Sequence, residues 1–199
     1  IANGLRPDLR FGDIHDIKLY LVATDLNAGS PVIFGQDLND SVLDGVMASM
    51  TLPPWMPPQE KEGRYLMDGA AVSNLPIEAA LRQGAGEIIA LDLYDPNEGD
   101  VSGRGLAPFL WKLDKTVENR QAELEMELAE ARGVRVRRIS LIAEQPVPLW
   151  DFRRSIELMA RGYDLAQKSI ETWQLQDHPS WWRRVGAKVL GGVLDILDE

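Results

Sequence analysis

The sequence predicts an α/β fold in which a mostly parallel sheet is covered by helices. Two nearly continuous apolar runs, residues 17–24 and 87–93, are typical of strands that are buried on both faces. Residues 64–93 follow the order strand, tight turn, helix and strand, and such a unit implies parallel pairing with a right-handed crossover. The chain has 199 residues, 45% of them hydrophobic, so it can bury a core of its own.

The first half of the chain alternates apolar runs with turn-forming residues. Residues 17–24 and 31–34 flank such a turn and predict a hairpin. A helix is expected over residues 41–48, with Ser41 or the residue before it as the N-cap. Four prolines within residues 51–58 exclude a helix or a central strand, so this stretch is expected to be a rigid extended loop.

The rest of the chain continues with helices and strands. Beyond the strand that ends near residue 68, we expect helices over 76–83, 108–131 and 152–173, the last capped by Asp151, and strands over 87–93 and 134–142. In the helix over 108–131 the apolar residues share one helical stripe, formed by Leu110, Leu113, Val117, Leu124, Leu128 and Ala131. Residues 95–105 predict a polar, glycine-rich loop.

Charge and composition exclude several classes of function. The formal net charge is −10, which disfavours general nucleic-acid binding because phosphate neutralisation needs a basic face. The absence of cysteine excludes disulfides, thiolate metal sites and cysteine nucleophiles. His15 and His178 lie far apart in the sequence, so no histidine metal site is expected. No apolar run approaches the roughly 20 residues that a membrane-spanning helix needs.

Asp68 is the first candidate for chemistry, because it ends an apolar strand and is followed by small residues. An acid in this position often only caps a turn or a helix N-terminus. A catalytic aspartate needs a neighbour to act on, and Gly69, Ala70 and Ala71 leave space for another side chain to reach the carboxylate. The local pattern alone leaves both interpretations open.

Residues 5–95 resemble the second half of the patatin-like phospholipase domain, and a weaker resemblance continues to about residue 170. That family has a pattern like A-S-x-x-x-P-x-x-x-P-P before a strand, then D-G-G or D-G-A, then N-x-P, a helix and a strand that ends in an aspartate. The matching positions here are Ala48, Ser49, Pro53, Pro57, Pro58, Asp68, Gly69, Ala70, Asn74, Leu75, Pro76 and Asp92. Residues 20–34 also look like the family's earlier strand and hairpin.

The resemblance implies a patatin-like fold and a lipid acyl hydrolase, a phospholipase A or lysophospholipase, that acts on carboxylic esters of lipids through a serine–aspartate dyad. In such a dyad the serine hydroxyl attacks the ester carbonyl, and the aspartate takes the proton where a triad uses histidine. Asp68 matches the dyad aspartate. No metal and no organic cofactor is implied. The near-site motif comprises Ser49, Pro53, Gly69, Ala70, Asn74 and Pro76.

The sequence departs from the family at the nucleophile, which the family carries in G-x-S-x-G on a strand-to-helix turn. None of the serines here has glycine at both the second position before it and the second after it, and the glycine-rich oxyanion loop is absent as well. Because the first residue is Ile1, we expect an upstream segment of the same protein to carry the serine and complete the site. This chain alone is then expected to be inactive, with Ser49 in a structural role.

Two further features predict contacts. Trp55 and Met56 on the proline loop can line an acyl-chain pocket, or the tryptophan can simply anchor its own loop. Residues 1–175 are expected to form a partial acyl hydrolase domain and residues 176–199 a tail helix. Within the tail, residues 180–199 combine aromatic, basic and apolar side chains, which suits contact with a membrane surface or, as we favour, docking on protein.

A different class of function also stays open. The chain can be a non-catalytic patatin-like module that binds lipid or a protein partner, and a natural start near residue 1 would favour that alternative. A nucleotide-binding domain is weakly supported, since no phosphate-binding glycine motif is found. The expected location is cytoplasmic or peripheral to a membrane, because the lack of cysteine fits a reducing compartment.

Overall fold

The computed structural model describes residues 6–94, 105–142 and 152–173. These residues divide between two units. The first unit contains residues 6–90 and 105–137, and the second contains residues 91–94, 138–142 and 152–173. The predicted loop over 95–105, except for its last residue, the cap at Asp151 and the predicted tail helix lie outside the described residues.

The first unit is built on a four-stranded sheet with the order β2-β1-β4-β3, in which each pair of neighbours is antiparallel. The hairpin predicted at the start of the chain is confirmed, since β1 and β2 pair from Leu21 with Phe34 to Asp25 with Ser30. The strands are β1 (Leu21–Asp25), β2 (Ser30–Phe34), β3 (Gln59–Lys61) and β4 (Arg64–Asp68).

The hairpin turn forms because Asp25 organises the backbone that follows it. Its Oδ1 accepts the N–H groups of Asn27 at 2.9 Å and Ala28 at 3.1 Å, and this Asx-type turn leads into Gly29 with a φ of +62°. Helix α1 (Val42–Ser49) then begins as predicted, because the Ser41 hydroxyl oxygen accepts the N–H of Asp44 at 3.2 Å. This helix and the sheet enclose a core formed by Phe11, Ala23, Phe34, Val42, Ala48 and Leu66.

The short strand β3 was not predicted, and its turn explains why. Lys61 pairs with Arg64, so the turn has only two residues. Both lie at positive φ, Glu62 at 53° and Gly63 at 75°. Turns of this kind match the twist of an antiparallel pair and usually have the sequence Asn-Gly or Asp-Gly. The sequence here is Glu-Gly and follows four prolines, so it is a weak signal for a hairpin.

The prediction of a mostly parallel sheet is not confirmed in the described residues. It depended on β4 pairing with β5 (Glu87–Tyr94), but β4 has β1 on one side and β3 on the other. Strand β5 instead pairs in parallel with β6 (Arg135–Ile142) in a separate two-stranded sheet. A strand has only two edges, so antiparallel partners on both sides of β4 leave no room for β5.

The helices of the first unit lie close to their predicted positions. Three helices follow β4 and β5: α2 (Ala70–Ser73), α3 (Ile77–Arg82) and the long α4 (Leu106–Ala131). Helix α2 is an addition, because the sequence predicted only a turn there. A second core joins these helices to the start of β5 and contains Leu75, Ile77, Leu81, Ile88, Ala90, Ala122 and Ala129.

The face that α4 buries is not its most apolar one. Leu110, Leu113, Val117 and Leu124 of the predicted stripe are about half exposed. Two carboxylate side chains and two alanines are buried instead, and these are Glu118, Ala122, Glu125 and Ala129. The reason is that the polar groups after Asp68 need partners, which the leucine side chains cannot supply.

Two arginines of β6 form ion pairs, one in each unit. Arg137 contacts Glu87 at 2.9 Å in the first unit, and Arg138 contacts Asp92 in the second. The second unit also holds a short 3₁₀ turn (Phe152–Arg154) and helix α5 (Ser155–Thr172), where the sequence predicted a helix. None of the helices in the described part of the chain is long and apolar enough to cross a membrane.

Candidate active site

The backbone of Asp68 is fixed by two residues from separate parts of the sequence. Its N–H donates to the carbonyl of Thr51 at 3.0 Å, just after α1. Its carbonyl accepts the hydroxyl of Thr24 on β1 at 2.7 Å. Both threonines are buried, so water does not compete for these bonds. The aspartate therefore ends β4 in a rigid position.

The carboxylate of Asp68 is partly buried and only partly engaged. Its Oδ1 accepts the N–H of Ala70 at 2.8 Å, which makes the first turn after β4. Among the described residues, no hydrogen bond reaches the other oxygen, Oδ2. One oxygen thus holds the local turn, and the second is available to a group that approaches the site.

The surroundings of Asp68 make its carboxyl group a weaker acid than usual. Burial raises the pKa of Asp68 above its ordinary value of 3.8. The Ala70 N–H opposes this and lowers the pKa, because it stabilises the charged form. Two residues of α4 act as well: the negative charge of Asp114 raises the pKa, and the positive charge of Lys115 lowers it. A carboxylate with a raised pKa is a better proton acceptor.

Gly69 is required by space rather than by its backbone conformation. Its φ of −66° is open to any residue. A Cβ at this position would stand 2.4 Å from the carbonyl oxygen of Val22, well inside the limit for non-bonded atoms. The sequence predicted open space beside the Asp68 carboxylate. At Gly69 that space is occupied by the backbone of β1.

The segment after Asp68 is held by α4. Asn74 donates to Oε2 of Glu118 at 3.3 Å, and the hydroxyl of Ser73 donates to Oε1 of Glu125 at 2.5 Å. Pro76 stands directly before α3 as its N-cap residue, close to its predicted place in the first turn. The sequence reasoning missed the two glutamates, although Glu118 and Glu125 are seven residues apart, the spacing that puts two side chains on one helical face.

The other predicted near-site residues lie at the edge of this arrangement. Ser49 is the last residue of α1, two positions before the Thr51 carbonyl that holds Asp68. It makes no side-chain hydrogen bond to Asp68 among the described residues. Pro53 follows on the proline loop, where its peptide bond to Pro54 is cis.

Trp55 and Met56, the predicted pocket residues, lie on the same loop. The Trp55 side chain is about half exposed, while Met56 is partly buried and its N–H donates to the carbonyl of Leu52 at 3.0 Å. The loop thus keeps some apolar surface accessible. Their acyl-pocket role stays a prediction.

Comparison with known proteins agrees with these observations. The family model for patatin-like phospholipase matches residues 7–81. Patatin-like phospholipase domain-containing protein 6 of mouse is 35% identical over 135 residues, which cover 61% of this chain and 10% of that protein. The human protein of that name matches to the same extent. Neuropathy target esterase sws of Drosophila melanogaster is 34% identical over 101 residues, 48% of this chain and 7% of its own length.

The matches therefore span about a tenth or less of the length of these curated relatives. The matched family segment contains β1 to β4, the two threonines that fix the aspartate, and Asp68 itself. It includes every motif position named above except Asp92. Residues 7–81 match the family model for patatin-like phospholipase, as the motifs in this segment predicted.

Proposed function

We propose that this chain supplies the aspartate of a serine–aspartate dyad in a lipid acyl hydrolase. The reaction is hydrolysis of a carboxylic ester, as in a phospholipase A or a lysophospholipase. Asp68 is the general base, and the serine lies in an upstream segment of the same protein. The relatives are named as phospholipase domain-containing proteins and as an esterase, which supports this class of reaction.

The observation that carries the proposal is the state of the Asp68 carboxylate. Its backbone is fixed by Thr24 and Thr51, one oxygen is held by Ala70, and its pKa is raised by burial. A purely structural turn aspartate gains nothing from a raised pKa, since it caps best as a stable anion. A general base gains from it, because proton transfer improves as its pKa approaches the working pH.

The geometry fits a simple sequence of proton transfers. The serine hydroxyl approaches Oδ2, gives up its proton to Asp68 and attacks the ester carbonyl carbon. The resulting oxyanion collapses, the alcohol part of the lipid leaves, and Asp68 returns the proton to that leaving oxygen. Water then enters, loses a proton to Asp68 and attacks the acyl carbon. The serine oxygen leaves and takes that proton back from Asp68, which releases the fatty acid and restores both groups. Ala70 holds the carboxylate in one orientation throughout.

The surface of the proline loop completes the proposal. Trp55 and Met56 carry apolar area next to the stretch that leads to Thr51 and Asp68. We assign them to the wall that receives the acyl chain, since lipid-binding pockets are lined mainly by apolar and aromatic groups. Shortening Trp55 to alanine is then expected to raise KM for long-chain esters more than for short-chain ones.

A fluorophosphonate probe tests the proposal, because it labels activated serines covalently. The probe is applied to the longest natural polypeptide that contains this chain, and the labelled residue is located by mass spectrometry. Label on a serine upstream of residue 1, lost in Asp68→Asn, is the expected result. Label on a serine of this chain would overturn the upstream assignment. The absence of any label, together with the absence of ester turnover in the unsubstituted protein, would favour the non-catalytic binding module.

A further inference from the structure

A polar face of α4 holds the segment that follows Asp68. The amide nitrogen of Gln121 donates to the carbonyl of Ala71 at 3.1 Å. Glu125 accepts the hydroxyl of Ser73 at 2.5 Å through Oε1 and the N–H of Glu78 at 2.7 Å through Oε2. Since these contacts join residues about fifty positions apart in the sequence, the turn after the aspartate takes its position from α4.

Glu118 is the member of this face that binds both the segment after Asp68 and a lysine of its own helix. It is 7% exposed, and its Oε2 accepts Asn74 at 3.3 Å and the ammonium of Lys115 at 2.8 Å. A buried carboxylate is tolerated only with such donors, so both partners are held firmly. One oxygen therefore connects the turn after Asp68 to a cation.

The cation that Glu118 holds acts on the candidate base. The charged groups that act on Asp68 from α4 are Asp114 and Lys115, whose effects on its pKa are opposite. Thr24 on β1 and Thr51, two residues after α1, bond the backbone of Asp68 through a hydroxyl and a carbonyl. Displacement of Lys115 would therefore leave the effect of Asp114 on the pKa of Asp68 without this opposing charge.

We propose that Glu118 is a positioning residue for Asp68: through Asn74 it holds the turn behind the aspartate, and through Lys115 it holds in place a positive charge that acts on the carboxylate. The proposal rests on the function proposed above, in which Asp68 is the general base. It differs from a stabilising role, which Glu125 fulfils by binding Ser73 and the start of α3.

The test measures kcat, KM and the pH profile of kcat/KM in the longest natural polypeptide that contains this chain, with a short-chain ester as substrate. Four variants are compared: Glu118→Gln, Lys115→Met, the double variant of both, and the matched control Glu125→Gln. The control removes the charge of the other buried glutamate on the same face. Melting temperatures of all variants are recorded alongside.

Glu118→Gln is expected to lower kcat by roughly tenfold to a hundredfold with little change in KM, since a misplaced base slows the chemical step. The acid limb of the pH profile of kcat/KM should move to higher pH in Glu118→Gln, as it should in Lys115→Met. The reason is that Lys115, when held in place, lowers the pKa of Asp68. The acid limb of the double variant should shift no further than that of Lys115→Met alone. Such a result means that both substitutions act on Asp68 through Lys115. Glu125→Gln should lower the melting temperature without moving the acid limb.

Other outcomes separate this proposal from the function on which it rests. If Asp68→Asn abolishes turnover but Glu118→Gln leaves kcat and the acid limb unchanged, the positioning role is wrong and the dyad stands. Equal losses in Glu118→Gln and Glu125→Gln with unmoved pH profiles would also reject it. If Asp68→Asn keeps normal turnover, the dyad itself is wrong. Should Glu118→Gln fail to fold, Asn74→Ala must lower kcat and Lys115→Met must move the acid limb, or the proposal fails.

Discussion

Gly69 lies against Val22 so closely that a Cβ on the glycine would stand 2.4 Å from the valine carbonyl oxygen. The atom in the way belongs to the backbone of β1, which pairs with β4 and cannot turn aside as a side chain can. The end of β4 and the middle of β1 are thereby kept in one fixed relation at the candidate site.

Gly69→Ala is therefore expected to lower the free energy of unfolding by about 1–3 kcal/mol, the usual range for overpacking. Chemical denaturation measures the change. Gly86→Ala is the matched control, because a Cβ there meets nothing within 4 Å. That control should be neutral or stabilising by up to about 1 kcal/mol. Equal effects of the two substitutions would contradict the close approach to Val22.

Asp68→Asn is expected to stabilise the protein at neutral pH while removing the base. The folded state raises the pKa of Asp68, so it binds the proton more tightly than the unfolded chain does. The stability from this carboxyl group is present below its unfolded pKa and is lost as pH rises through the folded pKa. Melting temperatures between about pH 3 and pH 7 should show the gain of Asp68→Asn growing with pH.

The exposed carboxylate of Glu60 supplies the control for that experiment. Glu60→Gln should leave the melting temperature nearly unchanged at every pH, since exposed charges contribute little. The raised pKa of Asp68 would be rejected if Asp68→Asn did not raise the melting temperature at neutral pH. It would also be rejected if the rise were greatest at acidic pH.

Ser73→Ala tests the attachment of the turn to α4. Ser73 and Glu125 are both buried, so the substitution leaves a buried carboxylate without one of its donors. A loss of about 1–3 kcal/mol in the free energy of unfolding is expected. Thr116→Ala also removes a hydroxyl, but an exposed one that bonds its own helix at Lys112, and should change stability by less than about 0.5 kcal/mol. Indistinguishable values would show that the Ser73 bond contributes nothing.

Leu113→Gln tests which face of α4 is buried. The leucine is 49% exposed, so the substitution should change the free energy of unfolding by less than about 0.5 kcal/mol. Ala129, fully buried on the opposite side, provides the contrast, because Ala129→Leu should cost about 1–3 kcal/mol by overpacking. If Leu113→Gln lowered the free energy of unfolding by more than about 2 kcal/mol, the apolar stripe would be buried after all.

The elements that the sequence predicted correctly are those with local signals. The β1–β2 hairpin depends on Asp25 and its own neighbours, and α1 begins where the Ser41 side chain caps it. Such contacts lie within a few residues of each other. Side-chain type at one position then decides the structure, as the turn and cap rules require.

Strand pairing and helix orientation could not be predicted in the same way. Whether β4 pairs with β1, β3 or β5 depends on edges that only the folded sheet defines. The buried face of α4 carries Glu118 and Glu125, which a search for apolar periodicity reads as solvent-facing. Their burial follows from partners about fifty residues away, at Ser73 and Asn74.

At the candidate site, one part could be predicted from the sequence and another part could not. Asp68 was identified because its motif resembles a known family, and residues 7–81 match that family. The residues that hold its backbone, Thr24 and Thr51, carry no motif of their own. Threonine hydroxyls and carbonyls are common, so only the fold shows which ones bind the aspartate.

The attachments of Asp68 also set an order in which the site can mature during synthesis. Thr24 and Thr51 precede the aspartate in the chain, so both groups are already made when residue 68 is added. Glu118 and Glu125 follow only after about fifty more residues. A nascent chain can fix the strand that carries the aspartate first, while the turn behind it stays loose until α4 has been translated. A chain that is released before α4 is complete would thus carry Asp68 on its strand but lack the contacts from Glu118 and Glu125.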